Sequence, residues 1–299
     1  MTMTSMMTGM WNLTSQTRTE TSTHIVIPDT QVKPDVPTDH LRWAGQYVVD
    51  HFSQRPNVKI IHLGDHWDFP SLSSYDKGKL AAEGRRIKAD IEAGNVALRT
   101  FDQPLIDYNT RRLLNRKRPW KPHKFLLRGN HEYRAMRTVA ETPALDGFLS
   151  YDLLESPGWS VSDFLEVIDI DGVGYSHYFA NPMTGRPYGG MVSTRLKNIG
   201  HSFTMGHQQT YDHAVRYVRG KPQIGLVAGA FYLHDEDYKG FQGNDHFRGI
   251  IVKHQVENGA YDIMQVSIDY LCRRYEGVPV AEWLRTNGFE HYSLAQGDK

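Results

Sequence analysis

Residues 58–68 read Val-Lys-Ile-Ile-His-Leu-Gly-Asp-His-Trp-Asp, an apolar run that ends in a glycine followed by two aspartates. A short run rich in β-branched residues that stops at a glycine is typical of a buried strand followed by a tight turn. In open α/β sheets, ligands bind outside the carboxyl ends of the strands. The stretch therefore predicts a strand over 58–63 and places Asp65 and Asp68 at the functional edge of a sheet.

The neighbouring segments repeat this arrangement. A strand candidate at 24–28 precedes Asp29 and Gln31, and another at 124–127 precedes Asn130. Strands that alternate with helices indicate parallel pairing through right-handed crossovers. Apolar residues at helical spacing predict the intervening helices over 41–52, 80–116 and 132–140.

The second half of the chain is rich in strand candidates and has few long helices. A βαβ half followed by a β-rich half predicts an α/β fold, a four-layer αββα sandwich of two mixed β-sheets flanked by helices. No linker rich in proline, glycine or serine separates the halves, so we expect a single domain over 24–299, preceded by a disordered tail over 1–23. The later strand candidates are 164–170, 174–179, 202–205, 224–228, 249–252 and 261–266.

Composition excludes several classes of protein. The 34 basic and 34 acidic side chains cancel, so nucleic-acid binding would need a local patch, such as the seven Lys and Arg residues within 111–124. Cys272 is the single cysteine, which excludes disulfide scaffolds and thiolate metal cages. Metal ligands would be nitrogen and oxygen. No segment approaches the roughly 18 apolar residues of a membrane span, and we expect a cytoplasmic protein without a membrane partner.

Residues able to bind a metal follow the predicted strands in five clusters. Each cluster by itself is also typical of a turn, a helix cap or a hydrogen-bonded histidine. Carboxylates and imidazoles gathered at one edge, however, repel or desolvate one another unless a cation compensates. Their joint occurrence favours a metal site. The candidate ligands are Asp29, Gln31, Asp65, Asn130, His177, His207 and Gln209.

The order of these motifs resembles the calcineurin-like metallophosphoesterase superfamily: Asp-x-Gln at 29–31, Gly-Asp-x-x-Asp at 64–68, Gly-Asn-His-Glu at 129–132, a lone histidine, and Gly-His-x-Gln at 206–209. The resemblance covers roughly residues 24–210, and the end of the chain looks like phage-encoded members, which would act in the host cytoplasm. Such enzymes bind two divalent ions about 3.5–4 Å apart, which clamp the oxygens of a phosphoryl displacement while an activated hydroxide attacks phosphorus.

The resemblance implies a role for each matching residue. Asp65 would bridge both ions. His131 would be catalytic and would stabilise the phosphate or protonate the leaving oxygen, and Asp68 would accept a hydrogen bond from its other ring nitrogen. The remaining ligands would be Asp29, Gln31 and Gln209 for the first ion, and Asn130, His177 and His207 for the second.

Two departures from the family pattern concern the first ion. The family usually has histidine where this chain has Gln31 and Gln209, and a neutral carbonyl oxygen is a weaker, harder donor than imidazole. We therefore expect a weaker first site and a preference for Mn²⁺, with Mg²⁺, Fe or Zn²⁺ as alternatives. His201 and His213 flank the last motif, and either could replace Gln209 as a ligand.

Other segments compete for a functional role. Trp67 lies inside the Gly-Asp-x-x-Asp turn and either packs in the core or stacks on a base of the substrate. Segments 234–237 and 243–246 look like ligand sets, but they lack strand-end placement and are expected to form a solvated loop or a substrate-side lid. Basic side chains that either face solvent or bind a phosphate backbone are Arg116, Lys117 and Arg118.

The expected activity is metal-dependent hydrolysis of a phosphate ester, preferably a phosphodiester in DNA, RNA or a cyclic nucleotide. Protein phosphatases of this superfamily resemble one another in placing Arg-Gly after the second aspartate. Phe69 and Pro70 stand there in this chain, which argues against that class. The alternatives are a phosphomonoesterase of the same fold and a catalytically weakened protein that binds metal or nucleic acid. The sequence does not indicate an oligomeric state.

Overall fold

The larger of two β-sheets contains the strands that begin the chain. The computed structural model describes residues 21–74, 83–236 and 239–296. In this sheet the order is β11-β10-β1-β2-β3-β4, with β1 to β4 parallel to one another and β10 antiparallel to both β1 and β11. The strands are β1 (Ser22–Ile27), β2 (Val58–His62), β3 (His123–Leu127), β4 (Ser160–Ser162), β10 (Gly249–Glu257) and β11 (Ala260–Ser267).

The smaller sheet has five strands in the order β5-β6-β7-β9-β8. Strands β6, β7 and β9 are parallel, and the two outer strands are antiparallel to their neighbours. Both sheets are therefore mixed, which confirms the predicted fold class. The strands are β5 (Ile168–Ile170), β6 (Val173–Tyr175), β7 (Phe203–Met205), β8 (Tyr211–Val218) and β9 (Lys221–Ala228).

Helices cover the outer faces of the sheets. Among the described residues, no helix combines the length and the apolar character needed to cross a bilayer. The helices are α1 (Asp39–Phe52), α2 (Ile87–Leu114), α3 (Tyr133–Glu141), α4 (Val192–Ile199), α5 (Gly240–Gly243), α6 (Ile268–Glu276) and α7 (Val280–Thr286).

Alternate residues of the central strands enter two different cores. In β1, Ile25 and Ile27 pack under the helices with Trp43, whereas Val26 packs between the sheets with Leu226. This follows from the two-residue period of a strand, and burial of both faces explains why these strands are almost continuously apolar. A third core joins α4 to the smaller sheet. The layers therefore succeed one another as helices, larger sheet, smaller sheet and helix.

Several boundaries differ from the predictions. Strand β1 begins at Ser22, inside the predicted tail, while residues 1–20 of that tail lie outside the described residues. The helix predicted over 80–116 is α2, which begins at Ile87, and residues 80–82 also lie outside the described part. Strand β8 was not predicted, because it is a half-exposed edge strand with polar residues on both faces.

Helix α2 packs closely against the turn that carries the two aspartates. Gly94 of this helix faces the indole of Trp67, and a Cβ at Gly94 would lie 2.0 Å from Cδ1 of that ring. Trp67 is 1% exposed and donates from Nε1 to Asn95 Oδ1 at 3.1 Å. The glycine therefore sets the distance between α2 and the turn.

We predict that Gly94→Ala lowers the free energy of unfolding. Overpacking costs about 1–3 kcal/mol, which outweighs the ~1 kcal/mol that alanine gains over glycine inside a helix. Urea unfolding measures the change, with Lys88→Ala on the exposed face of α2 as the control. A Gly94→Ala protein as stable as the wild type would contradict this packing.

Candidate metal centre

The carboxylate of Glu132 joins the two loops that carry most of the predicted site. Its Oε1 accepts the backbone N–H groups of His66 at 2.6 Å and Trp67 at 3.0 Å. Its Oε2 accepts those of Asp65 at 3.0 Å and Gly129 at 2.7 Å. Burial and the charge of Asp65 raise the pKa of this carboxyl. Four N–H donors thus hold the turn after β2 against the turn after β3.

Asp65 lies where these two turns meet. Its residue has φ +49°, and a Cβ at Gly129 would lie 2.1 Å from its Oδ1, so the facing loop has to carry a glycine. Oδ1 accepts the backbone N–H of His131 at 2.9 Å. Oδ2 lies 3.3 Å from Nε2 of His177 and accepts from Nε2 of Gln31 at 3.2 Å. The carboxylate therefore points one oxygen into the centre of the site.

The ligands predicted for the second ion converge on Asp65. One ligand atom from each of Asp65, His177 and His207 lies within 4.8 Å of the others, so this buried group could hold a metal ion. The amide oxygen of Asn130 lies 2.9 Å from Nε2 of His177 and 2.8 Å from Nδ1 of His207. Two carboxylate or amide oxygens and two imidazole nitrogens form a donor set suited to a divalent transition metal.

A backbone contact orients His177 for this purpose. Its Nδ1–H donates to the carbonyl oxygen of Leu63 at 2.8 Å, so that Nε2 faces Asp65. Burial opposes protonation, but the carboxylates of Asp65 and Asp29 raise the pKa of His177 to about 10. The imidazolium supplies positive charge that a divalent ion would otherwise provide, and metal binding would release its proton.

Asp29 is held on the opposite side of Asp65. Both of its oxygens accept the backbone N–H of His207, at 3.1 and 3.0 Å, and a Cβ at Gly206 would lie 2.2 Å from its Oδ1. Burial raises the pKa of Asp29 to about 7. The Oε1 atom of Gln31 is buried and has no hydrogen-bond partner among the described residues, which suits a cation nearby.

Gln209 is arranged differently from the other predicted ligands. Its Oε1 accepts the hydroxyl of Tyr232 at 2.9 Å and the ammonium of Lys239. The alternative ligands do not take its place. His201 precedes β7, at the end of that strand remote from His207, and His213 lies within the edge strand β8, paired with Leu226.

His131 and Asp68 form the predicted pair beside this centre. The Nδ1–H of His131 donates to Asp68 Oδ1 at 2.5 Å, and its Nε2 lies 3.7 Å from Asp65 Oδ2. Burial lowers the pKa of His131, but the carboxylates of Asp65 and Asp68 outweigh it and leave that pKa above its ordinary value. The two carboxylates therefore favour the protonated ring, whereas the guanidinium of Arg134 opposes it.

Arg134 is a site residue that the motif comparison missed. Its Nη1 donates to the carbonyl oxygen of Asp68 at 2.8 Å, and its Nη2 lies 3.0 Å from Nε2 of His131. The guanidinium therefore lies beside the turn where Phe69 and Pro70 replace Arg-Gly. The sequence offers one signal for this residue. Arg134 lies three residues after His131, and residues three apart on a helical turn lie on the same face.

Residues predicted to bind substrate lie elsewhere. Trp67 is buried and packed against Gly94, so stacking on a base was the wrong interpretation. Helix α2 runs back toward the amino end of β3, while Asn130 follows the carboxyl end, about 16 Å away at about 3.3 Å per residue. The basic residues exposed at that remote end are Arg116, Lys117 and Arg118. Their position contradicts the predicted role near the site.

The segment expected to be a solvated loop is largely buried. His234 and Glu236 are 1% and 4% exposed, with His234 Nε2 lying 2.8 Å from Glu236 Oε1. Glu236 also accepts from Lys33 at 3.2 Å, and Lys33 lies 4.0 Å from Asp68. Asn244, from the second such segment, packs here through its side chain. Asp237 lies outside the described residues.

The sequence matches no known protein-family model, and a search of curated proteins likewise finds no match.

We predict that Glu132→Gln weakens both the fold and metal binding. The substituted amide would turn an NH₂ group toward two backbone N–H donors, and leaving those donors unsatisfied costs about 1–3 kcal/mol. Because Glu132 positions Asp65 without binding metal, affinity for Mn²⁺ should fall about 10–100-fold. Denaturant unfolding and calorimetric titration measure the two effects. Glu141→Gln, at the exposed end of α3, is the control and should change neither.

Proposed function

We propose that this protein is a divalent-metal-dependent phosphoesterase related to the calcineurin-like metallophosphoesterases. The observation that carries the proposal is the convergence of Asp65, Asn130, His177 and His207 in a buried group, with the His131–Asp68 pair alongside it. A histidine held by a carboxylate next to a cation site is suited to proton transfer at a phosphate. The motif order in the sequence supports the same class of chemistry.

The donor set fits a divalent ion. The tautomer of His177 and the glycine that makes room for Asp65 keep the ligand atoms directed inward before any ion binds. Mn²⁺ suits a mixture of imidazole and oxygen donors. A bound ion would supply Lewis-acid chemistry, polarising the phosphoryl group and lowering the pKa of water.

His131 is the residue best placed to deliver a proton to the leaving oxygen. Asp68 fixes the ring through Nδ1, which directs Nε2 toward the Asp65 side of the site. The carboxylates of Asp65 and Asp68 raise its pKa, which favours the protonated form that a general acid requires. His131 does not need to transfer a proton to Asp68, because that carboxylate orients the ring and stabilises its charge.

Arg134 supplies a positive charge for the phosphate. Its guanidinium donates to His131 Nε2 and to two backbone carbonyls. A phosphate oxygen that accepted from Nη2 in place of the ring would leave Nε2 able to carry the proton for the leaving oxygen. Bidentate donors of this kind recognise phosphate strongly. We infer that Arg134 replaces the arginine missing after Asp68.

The position of Arg134 affects which class of phosphate ester we propose as the substrate. A phosphodiester remains our first proposal, with DNA, RNA or a cyclic nucleotide as sources. Nucleic acid is no longer favoured by the basic run, because that run lies at the far end of β3. A phosphomonoester is the second candidate, because Arg134 restores a charge suited to its dianion.

We predict that the Mn²⁺-loaded protein hydrolyses nitrophenyl phosphodiesters, and that Asp65→Asn and His131→Ala each lower the rate at least 100-fold. Nitrophenyl phosphomonoesters, cyclic nucleotides and single- and double-stranded DNA are offered in parallel to identify the preferred class. His51→Ala, an exposed histidine at the end of α1, is the control. Lack of cleavage of every substrate with every divalent ion would instead indicate a binding protein.

We further predict that Arg134→Met lowers kcat/KM about 10–100-fold, the effect of losing a hydrogen bond to a charged group. The loss should be larger for a phosphomonoester than for a phosphodiester, because the former carries more negative charge. Arg137→Met is the matched control, since Arg137 lies three residues further along α3 and pairs with Glu141 at the surface. Equal losses for both variants would refute a role for Arg134 at the phosphate.

A further inference from the structure

The two sides of the proposed centre differ in what already occupies their ligand atoms. On one side, Asn130, His177 and His207 contact each other and Asp65. On the other side, a lysine from a distant segment reaches the amide of Gln209. Lys239 immediately precedes α5, and its ammonium donates to Gln209 Oε1 and lies 3.3 Å from the hydroxyl of Tyr232.

The amide oxygen of Gln209 is fully used by these contacts. Tyr232 is completely buried and donates to the same oxygen at 2.9 Å. A carbonyl oxygen has two lone pairs, and here both accept a hydrogen bond. Gln209 therefore has no lone pair left for a metal ion while Lys239 remains in place.

The ammonium of Lys239 also interacts with carboxylates on this side of the proposed centre. Burial lowers the pKa of Lys239, and the carboxylates of Glu236 and Asp29 oppose this by favouring its charged form. Because the ammonium lies against Gln209, a divalent ion bound between Asp29 and Gln209 would be repelled by it. Asp29, Asp65 and the unpaired oxygen of Gln31 would be its remaining protein donors.

We infer that the centre binds one divalent ion tightly, on Asp65, Asn130, His177 and His207, and that the Lys239 ammonium supplies the positive charge on the Asp29–Gln209 side. The inference rests on the proposed function for the identity of the tight site. It replaces the two ions that the resemblance implies, the first of them weakly bound, with one ion and one lysine.

Metal stoichiometry tests this directly. The full chain is stripped with a chelator, dialysed and titrated with MnCl₂, with bound metal counted by mass spectrometry and its state read by electron paramagnetic resonance. The wild type should bind one Mn²⁺ per chain with the six-line spectrum of an isolated ion. Two ions bound with equal strength, or an exchange-coupled spectrum, would overturn the inference.

Variants at Lys239 provide the second arm. Lys239→Met should strengthen binding of a second Mn²⁺ at least tenfold, and adding Gln209→His should give two ions per chain with an exchange-coupled spectrum. Lys239→Arg, which keeps the charge, should still bind one. A folded Lys239→Met, Gln209→His protein that binds a single ion would count against the assignment.

The matched control is Lys33→Met. Lys33 is also a lysine near the site, but it contacts Glu236 and Asp68 on the His131 side. Its loss should leave the stoichiometry at one ion per chain. Because counting ions needs no turnover, a protein that binds one Mn²⁺ but hydrolyses nothing would refute the proposed activity and leave this inference standing.

Discussion

The buried carboxylate of Glu132 is the contact on which the rest of the site depends. It accepts four backbone N–H groups from two turns that are more than sixty residues apart in the chain. Those turns carry Asp65, Asp68, Asn130 and His131, so a single side chain fixes both a proposed metal ligand and the proposed proton donor. The strained backbone at Asp65 is tolerated because this network over-determines it. Rigidity of this kind keeps the ligand atoms close together before any ion compensates their charges.

The general position of the site could be predicted from the sequence, because it follows from strand direction. The apolar run at 58–63 gives β2, and parallel pairing with β1 and β3 brings the residues after each strand to one edge. Glycine at 129 and 206 then lets Asp65 and Asp29 approach a neighbouring backbone closely, and glycine at 64 lets the two turns themselves lie close together. These features depend on local residue types and on topology, both of which a single sequence records.

The parts that could not be predicted depend on contacts between distant residues. Lys239 reaches Gln209 across thirty residues, and no local pattern marks that contact. Trp67 was ambiguous because an indole beside a metal motif has the same sequence whether it is buried or exposed. The error in placing Arg116 to Arg118 near the site was avoidable. A helix that connects two parallel strands must return to the amino end of the second strand, so the end of α2 lies away from Asn130.

Glutamine at 209 has a physical explanation in the hydrogen bonds of its own side chain. An imidazole nitrogen offers one lone pair, so it cannot accept hydrogen bonds from both Tyr232 and Lys239, whereas an amide oxygen offers two. Gln209, Tyr232 and Lys239 therefore form a consistent set in which each residue type is needed by the others. A glutamine that evolved only by loss of function would not require a buried tyrosine and a lysine aimed at its oxygen. The asymmetry between the two sides of Asp65 follows from this set, because imidazoles suit a transition metal and an amide oxygen suits an ammonium.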